Sequence, residues 1–252
     1  MSEFILFFSS GILSGFLGGL FGIGGGIILV PFLSIYTELN LVEASGISLF
    51  CIIGTSLSVS YRKLKANLIN LDLAMNVETT ALIFGFAGSI LAHSLPENVI
   101  QICFATMVTV LAGNYAKGIR RREAPVGERK EVEVNQFAFQ GIIALAGTFA
   151  GLLGIGGGAL IVPLINKYAK VPIKIATATS AYIMGMTTAG GALGHLMRPS
   201  FPYKAAIFAL GGVKIGAWIG VEASNYLPDR VIKVCFLLLL IWIAIKMWLV
   251  SL

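Results

Sequence analysis

The feature that most constrains this chain is an apolar segment, broken by glycines, that occurs twice. Leu13 to Pro31 reads LSGFLGGLFGIGGGIILVP, and Leu145 to Pro163 reads LAGTFAGLLGIGGGALIVP. The two agree at 11 of 19 positions, including the whole Gly-Ile-Gly-Gly-Gly core. At the same offset of 132 residues the register continues: Ala44 falls on Ala176, Ser48 on Ser180, Ala74 on Ala206, Gly88 on Gly220 and Cys103 on Cys235. Two similar units, each opening with an interrupted apolar segment, are the pattern of a transporter built from repeats. The interruptions mark where its solute should sit.

Composition fixes the solvent. Of 252 residues 57% are hydrophobic and 12% charged, against about 25% charged in ordinary soluble domains. Apolar runs recur that reach the ~20 residues a membrane span needs. The expected fold is therefore an all-α integral membrane protein made of two homologous four-segment repeats. The opening segment, Phe4 to Leu20, has no positive flank and no cleavage pattern, so it is expected to stay in the mature protein. The net charge of +6 sits in loops between apolar segments, where it sets orientation, and no nucleic-acid partner is expected. The three cysteines lie in apolar segments without CxxC spacing, so no metal site, disulfide framework or cofactor is indicated.

Eight segments follow, at roughly 4–36, 43–60, 70–93 and 98–117, then 136–167, 174–196, 203–224 and 230–250. They divide the chain into a first membrane repeat, 1–119, a charged linker, 120–134, and a second repeat, 135–252. The first segment of each unit is too long for a simple span: 33 residues of straight helix would reach ~50 Å against a ~30 Å hydrocarbon core. It either crosses with an unwound centre or turns at the glycines and re-enters. Re-entry leaves three full spans per unit and inverts the units. Arg62, Lys63, Lys65, the linker, Lys167, Lys170, Lys174, Arg230 and Lys233 then share the cytoplasmic side, so the positive-inside rule favours the inverted arrangement.

Under either arrangement the helices beginning near Ile27 and Ala159 start deep in the membrane. Their first N–H groups lack intrahelical acceptors, and aligned peptide dipoles leave partial positive charge there. Glycines at 24, 25 and 26, and at 156, 157 and 158, let a solute approach the backbone. Close helix packing explains Gly11, Gly15, Gly18, Gly19 and Gly22 well enough. It does not explain three consecutive glycines, each weakening a helix by ~1 kcal/mol. Physics alone points to a small anionic solute held between two helix N-termini: Gly24, Gly25, Gly26 and Ile27 in one, Gly156, Gly157, Gly158 and Ala159 in the other.

The next segment of each unit adds hydroxyls. Ser48 matches Ser180, Thr55 matches Thr187, and seven residues separate the two within each helix, so they share a face. Each could line the pathway as a neutral donor, or simply bond the carbonyl one turn back. Intramembrane charges are few, and such residues are functional candidates by default. Glu78, Lys214 and Glu222 are the coupling candidates. Lys214 and Glu222 share a face two turns apart and have uncharged counterparts, Leu82 and Ile90. They fit an ion pair, a counter-charge to the solute or a proton-coupling group. His93 and His195, each at a segment end, read more simply as solvated termini. No catalytic motif is apparent, so an enzyme is the least favoured class.

The doubled GxGGG-x-x-x-x-P motif, with Thr179-Ser180 in the following helix, resembles the TauE/SafE family of membrane permeases over almost the whole chain. The resemblance implies a multi-pass permease of the cell inner (plasma) membrane, linked to sulfite, organosulfonates and related sulfur-containing anions. Carried over by position, its motif residues here are Gly22, Gly24, Gly25, Gly26 and Pro31, then Gly154, Gly156, Gly157, Gly158, Pro163, Thr179 and Ser180. The first unit departs from the pattern with Ile47-Ser48. A solute exporter is the leading expectation; a non-transporting membrane anchor or regulatory subunit, or a permease for another anion, is the alternative. The bilayer and a small anion are the expected partners, and a homo-oligomer is left open.

Overall fold

The computed structural model describes residues 2–21, 23–120, 136–168, 171, 173–224, 226 and 228–251. Apart from Arg120, the charged linker lies outside them, as does Gly22. The described residues form α1 (Ser2–Phe21), α2 (Gly26–Tyr36), α3 (Leu41–Lys65), α4 (Leu71–Ala92) and α5 (Glu97–Arg120) in the first half. In the second half they form α6 (Gln136–Leu153), α7 (Gly158–Tyr168), α8 (Ile173–Leu196), α9 (Tyr203–Ser224) and α10 (Asp229–Ser251). Seven of these are long and apolar enough to cross a membrane, and the protein is an all-helical, multi-pass membrane protein.

Local sequence sets the helix ends. Asn40 and Glu43 form a capping box at α3: the Asn40 side chain accepts from the Glu43 amide at 2.9 Å, and Glu43 Oε2 accepts from the Asn40 amide at 3.2 Å. Arg62, Lys63 and Lys65 occupy the last turn of α3, where cations oppose the negative end of the helix dipole. Asn70 caps α4 by accepting from the Leu73 amide at 3.2 Å.

The long opening segment breaks at the glycines in both halves. Gly24 and Gly25 have φ of 81° and 85°, and Gly154, Gly156 and Gly157 have φ of 73°, 76° and 77°. This left-handed backbone is open to glycine and strained for residues with a Cβ. The chain then doubles back. Ser14 Oγ donates to the Gly25 carbonyl at 2.9 Å, although eleven residues of straight helix would separate them by ~16 Å. In the second half Gly157 returns against Ala150, seven residues earlier. The alternative left open by the sequence, crossing or re-entry, is thus resolved geometrically: each opening segment is a helical hairpin.

Matched positions make matched contacts across the halves. On α1 and α9, Gly15 meets Val213, Gly19 meets Ala217 and Phe16 meets Gly220; 132 residues away, on α6 and α4, Gly147 meets Ala81, Gly151 meets Gly85 and Thr148 meets Gly88. Small residues at these points let helix backbones touch, the dominant packing device in lipid. The α2–α3 corner, the α4–α5 turn and the α8–α9 turn gather at one end of the bundle. Leu41 donates to Glu97 Oε1 there at 3.0 Å. The starts of α4 and α8 meet toward the opposite end, where Asn70 donates its amide to Thr179 Oγ1 at 3.0 Å. The α1–α2 hairpin returns to the first end, and the α6–α7 hairpin lies with α4 and α8 toward the second.

Candidate substrate site at the paired glycine breaks

The two glycine breaks meet in the middle of the molecule. A Cβ placed on Gly26 would lie 2.7 Å from the Gly154 carbonyl oxygen, and one on Gly158 would lie 3.7 Å from that of Ile23. Ile52 on α3 and Met184 on α8, counterparts at the 132-residue offset, pack into the junction. Ile52 touches Gly24, Gly26 and Gly156, and Met184 touches Gly24 and Gly158. Helices α2 and α7 begin here one residue earlier than the sequence suggests, at Gly26 and Gly158.

No side chain caps α2. Its first intrahelical bonds run from the Ile28 and Leu29 amides to the Gly25 carbonyl, both at 3.0 Å; at α7 Leu160 and Ile161 bond Gly157 at 3.0 and 2.8 Å. Amides ahead of these, at Gly26–Ile27 and Gly158–Ala159, stand at the positive ends of two helix dipoles. Pro31 and Pro163 lie inside the two short helices, and each withdraws the donor that the carbonyl four residues back would otherwise receive. Gly25, Gly26, Ile27, Gly156, Gly157 and Gly158 are buried, while Gly24 and Ala159 are half-buried.

The hydroxyls divide by role. Ser48 Oγ donates to the Gly154 carbonyl at 2.6 Å, tying α3 to the glycine break of the other half. Ser180 Oγ donates to the Gly158 carbonyl at 3.2 Å. Thr55 and Thr187 bond carbonyls of their own helices, Ile52 at 3.0 Å and Ile183 at 3.0 Å. Thr179 receives the Asn70 amide. The Ser48, Ser180, Thr55 and Thr187 hydroxyl protons are thus all spent on backbone carbonyls. Ser45, whose backbone abuts Gly154, has a buried Oγ with no hydrogen-bond partner.

The coupling candidates scatter. Glu78 accepts from Tyr182 Oη at 3.3 Å, joining α4 to α8. Lys214 and Glu222 are both exposed on α9. Lys214 stands one turn beyond Leu210, which meets Gly54 of α3. Past that contact Ser58, Arg62 and Lys214 are exposed, which we read as a seam parted there. The equivalent seam between α8 and α4 stays shut, with Gly190 against the Leu82 carbonyl and Gly194 against Ser89.

Sequence reading missed one cluster. His93 and His195, expected as solvated termini, lie with ring centroids 4.7 Å apart, and His195 is only 2% exposed. They border a cavity of about 180 Å³ at the first end, with Arg198, Glu43, Glu97 and Phe201 around it. They are not counterparts at the repeat offset. The available signal was that α4 and α8 run side by side and both end in histidine.

Paired helix hairpins meeting inside a multi-pass bundle define the class: a membrane transporter. The chain belongs to the sulfite exporter TauE/SafE family, whose profile matches residues 7–247. It is 29% identical over 211 residues to a probable membrane transporter protein of Methanocaldococcus jannaschii, covering 81% of this chain and 76% of that one. It is 23% identical to YunE of Bacillus subtilis, also named a probable membrane transporter protein, with 97% of each chain covered. Sulfite exporter TauE/SafE family protein 3 of Arabidopsis thaliana is 32% identical over 76 residues, 30% of this chain and 16% of that one. No solved structure gives a significant match.

Proposed function

We propose that the protein is a secondary permease that moves a small sulfur-containing anion, such as sulfite or an organosulfonate, outward across the plasma membrane. The observation that carries this reading is the meeting of two helix N-termini at Ile52 and Met184, each offering backbone amides and dipole charge in the bundle interior. Such a pair attracts an anion without a buried lysine or arginine. Gly24, Gly25, Gly26, Ile27, Gly156, Gly157, Gly158 and Ala159 are its binding residues in this reading. Ser48 and Ser180 hold the breaks to α3 and α8, while Thr55, Thr179 and Thr187 line the two helices beside them in this reading.

The halves are read as inverted repeats, with the α3–α4 turn and the charged linker cytoplasmic by the positive-inside rule. The parted α3–α9 seam then faces the cytoplasm, and the shut α4–α8 seam is its inverted counterpart. Exchange of open and shut seams is the form that alternating access takes in inverted repeats. The sequence carries no ATP-binding motif. A negative-inside potential drives a monovalent anion outward by ~2.3 kcal/mol per 100 mV. The Arabidopsis relative's name, a sulfite exporter family protein, agrees with this choice of solute.

Purified protein in proteoliposomes provides the test. Sulfite efflux above that of empty vesicles, accelerated by a potential negative inside, is expected. Sulfite should also raise the thermal midpoint of the detergent-solubilised protein. Neither flux nor stabilisation with sulfite, sulfoacetate or thiosulfate would sink the proposal and favour a non-transporting membrane subunit.

A further inference from the structure

The cavity at the first end has the makings of a second binding site, separate from the glycine breaks. Its floor is His195, which donates one ring N–H to the Gly151 carbonyl and has an unpartnered, buried Nε2. In that neutral form Nε2 carries a lone pair and cannot donate. Beside it both ring nitrogens of His93 are buried without a hydrogen-bond partner. Two unpartnered imidazoles lining one cavity are unusual, because buried polar atoms nearly always find partners.

The surrounding charges are few. On α3, Glu43 is engaged by the Asn40 amide, and at the start of α5, Glu97 is engaged by the Leu41 amide. Arg198, in the α8–α9 turn, is exposed at the rim. From α9 itself no titratable group lines the cavity. Among the described residues no trio of His, Cys, Asp and Glu is placed to hold a metal ion, which argues against a cation. The Arg198 guanidinium at the rim and the unpartnered nitrogens of the two imidazoles make a fork for oxygen atoms.

We propose that His93, His195 and Arg198 form an oxyanion-binding site at the mouth of the bundle, in which the anion binds together with a proton taken up by the histidine pair. Arg198 supplies the fixed charge. His93 donates from its protonated ring nitrogen, and His195 becomes a donor at Nε2 only on protonation, keeping its bond to Gly151. The site also touches the transport machinery. The His195 ring packs on Gly46, and the neighbouring Ser45 backbone packs on Gly154 of the second glycine break. This rests on the permease reading for its purpose, as the outer waystation of the exported anion, but its binding chemistry stands alone.

Calorimetric titration of detergent-solubilised protein with sulfate, which stays fully ionised throughout, tests it between about pH 7.5 and about pH 5.5, the ordinary histidine range. Sulfate should bind more tightly as pH falls, with about one proton taken up, read from buffers of different ionisation enthalpy. Arg198→Gln should weaken binding about tenfold at every pH and keep the pH dependence. His195→Gln and the half-buried, more forgiving His93→Gln should flatten the pH dependence. Sulfate affinity that is independent of pH, or unaltered in all three variants, overturns the site. Failure of the transport reading would appear separately, as absent flux through vesicles of wild-type protein.

Discussion

Gly25 and Gly157 are counterparts, yet alanine should be tolerated far less at the first. Both residues have left-handed backbones, with φ of 85° and 77°, so alanine costs about 1–2 kcal/mol at either from backbone strain alone. At Gly157 the new methyl would approach Ala150 Cβ and Ile161 Cδ1 at 3.2 Å, which small side-chain shifts relieve. At Gly25 it would sit 2.8 Å from the Ser14 carbonyl oxygen and 2.9 Å from its Oγ. A backbone carbonyl in the middle of α1 cannot step aside without moving the helix, so overpacking adds about 1–3 kcal/mol. The tighter first turn is also visible at Gly18, where a methyl would fall 2.5 Å from Gly25 Cα, whereas the counterpart position is already Ala150.

The expected loss is therefore about 1–2 kcal/mol for Gly157→Ala and about 2–5 kcal/mol for Gly25→Ala. At roughly 2–4 °C per kcal/mol for a chain of this size, thermal unfolding in detergent should rank wild type above G157A and G157A clearly above G25A, with G18A falling alongside G25A. Sulfite-dependent stabilisation should shrink in both break variants, because each displaces an amide at a helix start. Equal midpoints for G25A and G157A would refute the argument that the first hairpin closes more tightly. A G25A protein as stable as wild type would refute the left-handed turn itself.

Further outcomes follow from single contacts. Ser48→Ala removes the donor to the buried Gly154 carbonyl and should cost about 1–3 kcal/mol, more than Ser180→Ala, whose bond is longer; midpoints of the two variants in one detergent decide it. Asn40→Ala breaks the capping box at α3 and should cost about 1 kcal/mol, read as a modest midpoint drop with sulfite-dependent stabilisation retained. Burial, and then the charge of Arg198, hold the His93 imidazole below its ordinary value. The folded state thus favours neutral His93, and its share of stability is complete above about pH 6.5 and lost as pH falls from there. His93→Gln should flatten the midpoint-against-pH curve in that window; an unchanged slope would count against it.

Much of the architecture was legible because glycine and proline have few conformational meanings. Three consecutive glycines followed by a short apolar helix predicted the breaks, and the structure places them at 23–25 and 154–157. Charge favours re-entry over crossing, since a hairpin leaves only Arg198 and Lys204 among the basic loop residues on the other side. What resisted reading was pairing between distant helices. Ser48 reaching the opposite break, Tyr182 meeting Glu78 and His93 meeting His195 each depend on helices whose proximity no local pattern encodes. Hydroxyl direction was equally invisible, because Ser and Thr can donate to a carbonyl or to a solute from the same position.

The deepest gap between sequence and structure concerns symmetry. A repeated sequence predicts repeated contacts, and α1 on α9 against α6 on α4 obeys, position for position. The seams of α3 with α9 and of α8 with α4 do not. On one seam Gly54 meets Leu210, and beyond it Ser58 and Lys214 are exposed; on the other their counterparts Gly190 and Leu82 are locked together. Sequence supplies a reason for the bias: glycine at 190 permits backbone contact, whereas the larger serine at 58 and the charged lysine at 214 do not favour it. A strictly symmetric protein would have no preferred side on which to open. Replacing Ser58 by Gly and Lys214 by Leu should make the α3–α9 seam resemble the α4–α8 seam and trap both shut, a change readable as loss of flux with a raised thermal midpoint. Flux that survives the double substitution at the wild-type rate would show that the parted seam is not the path.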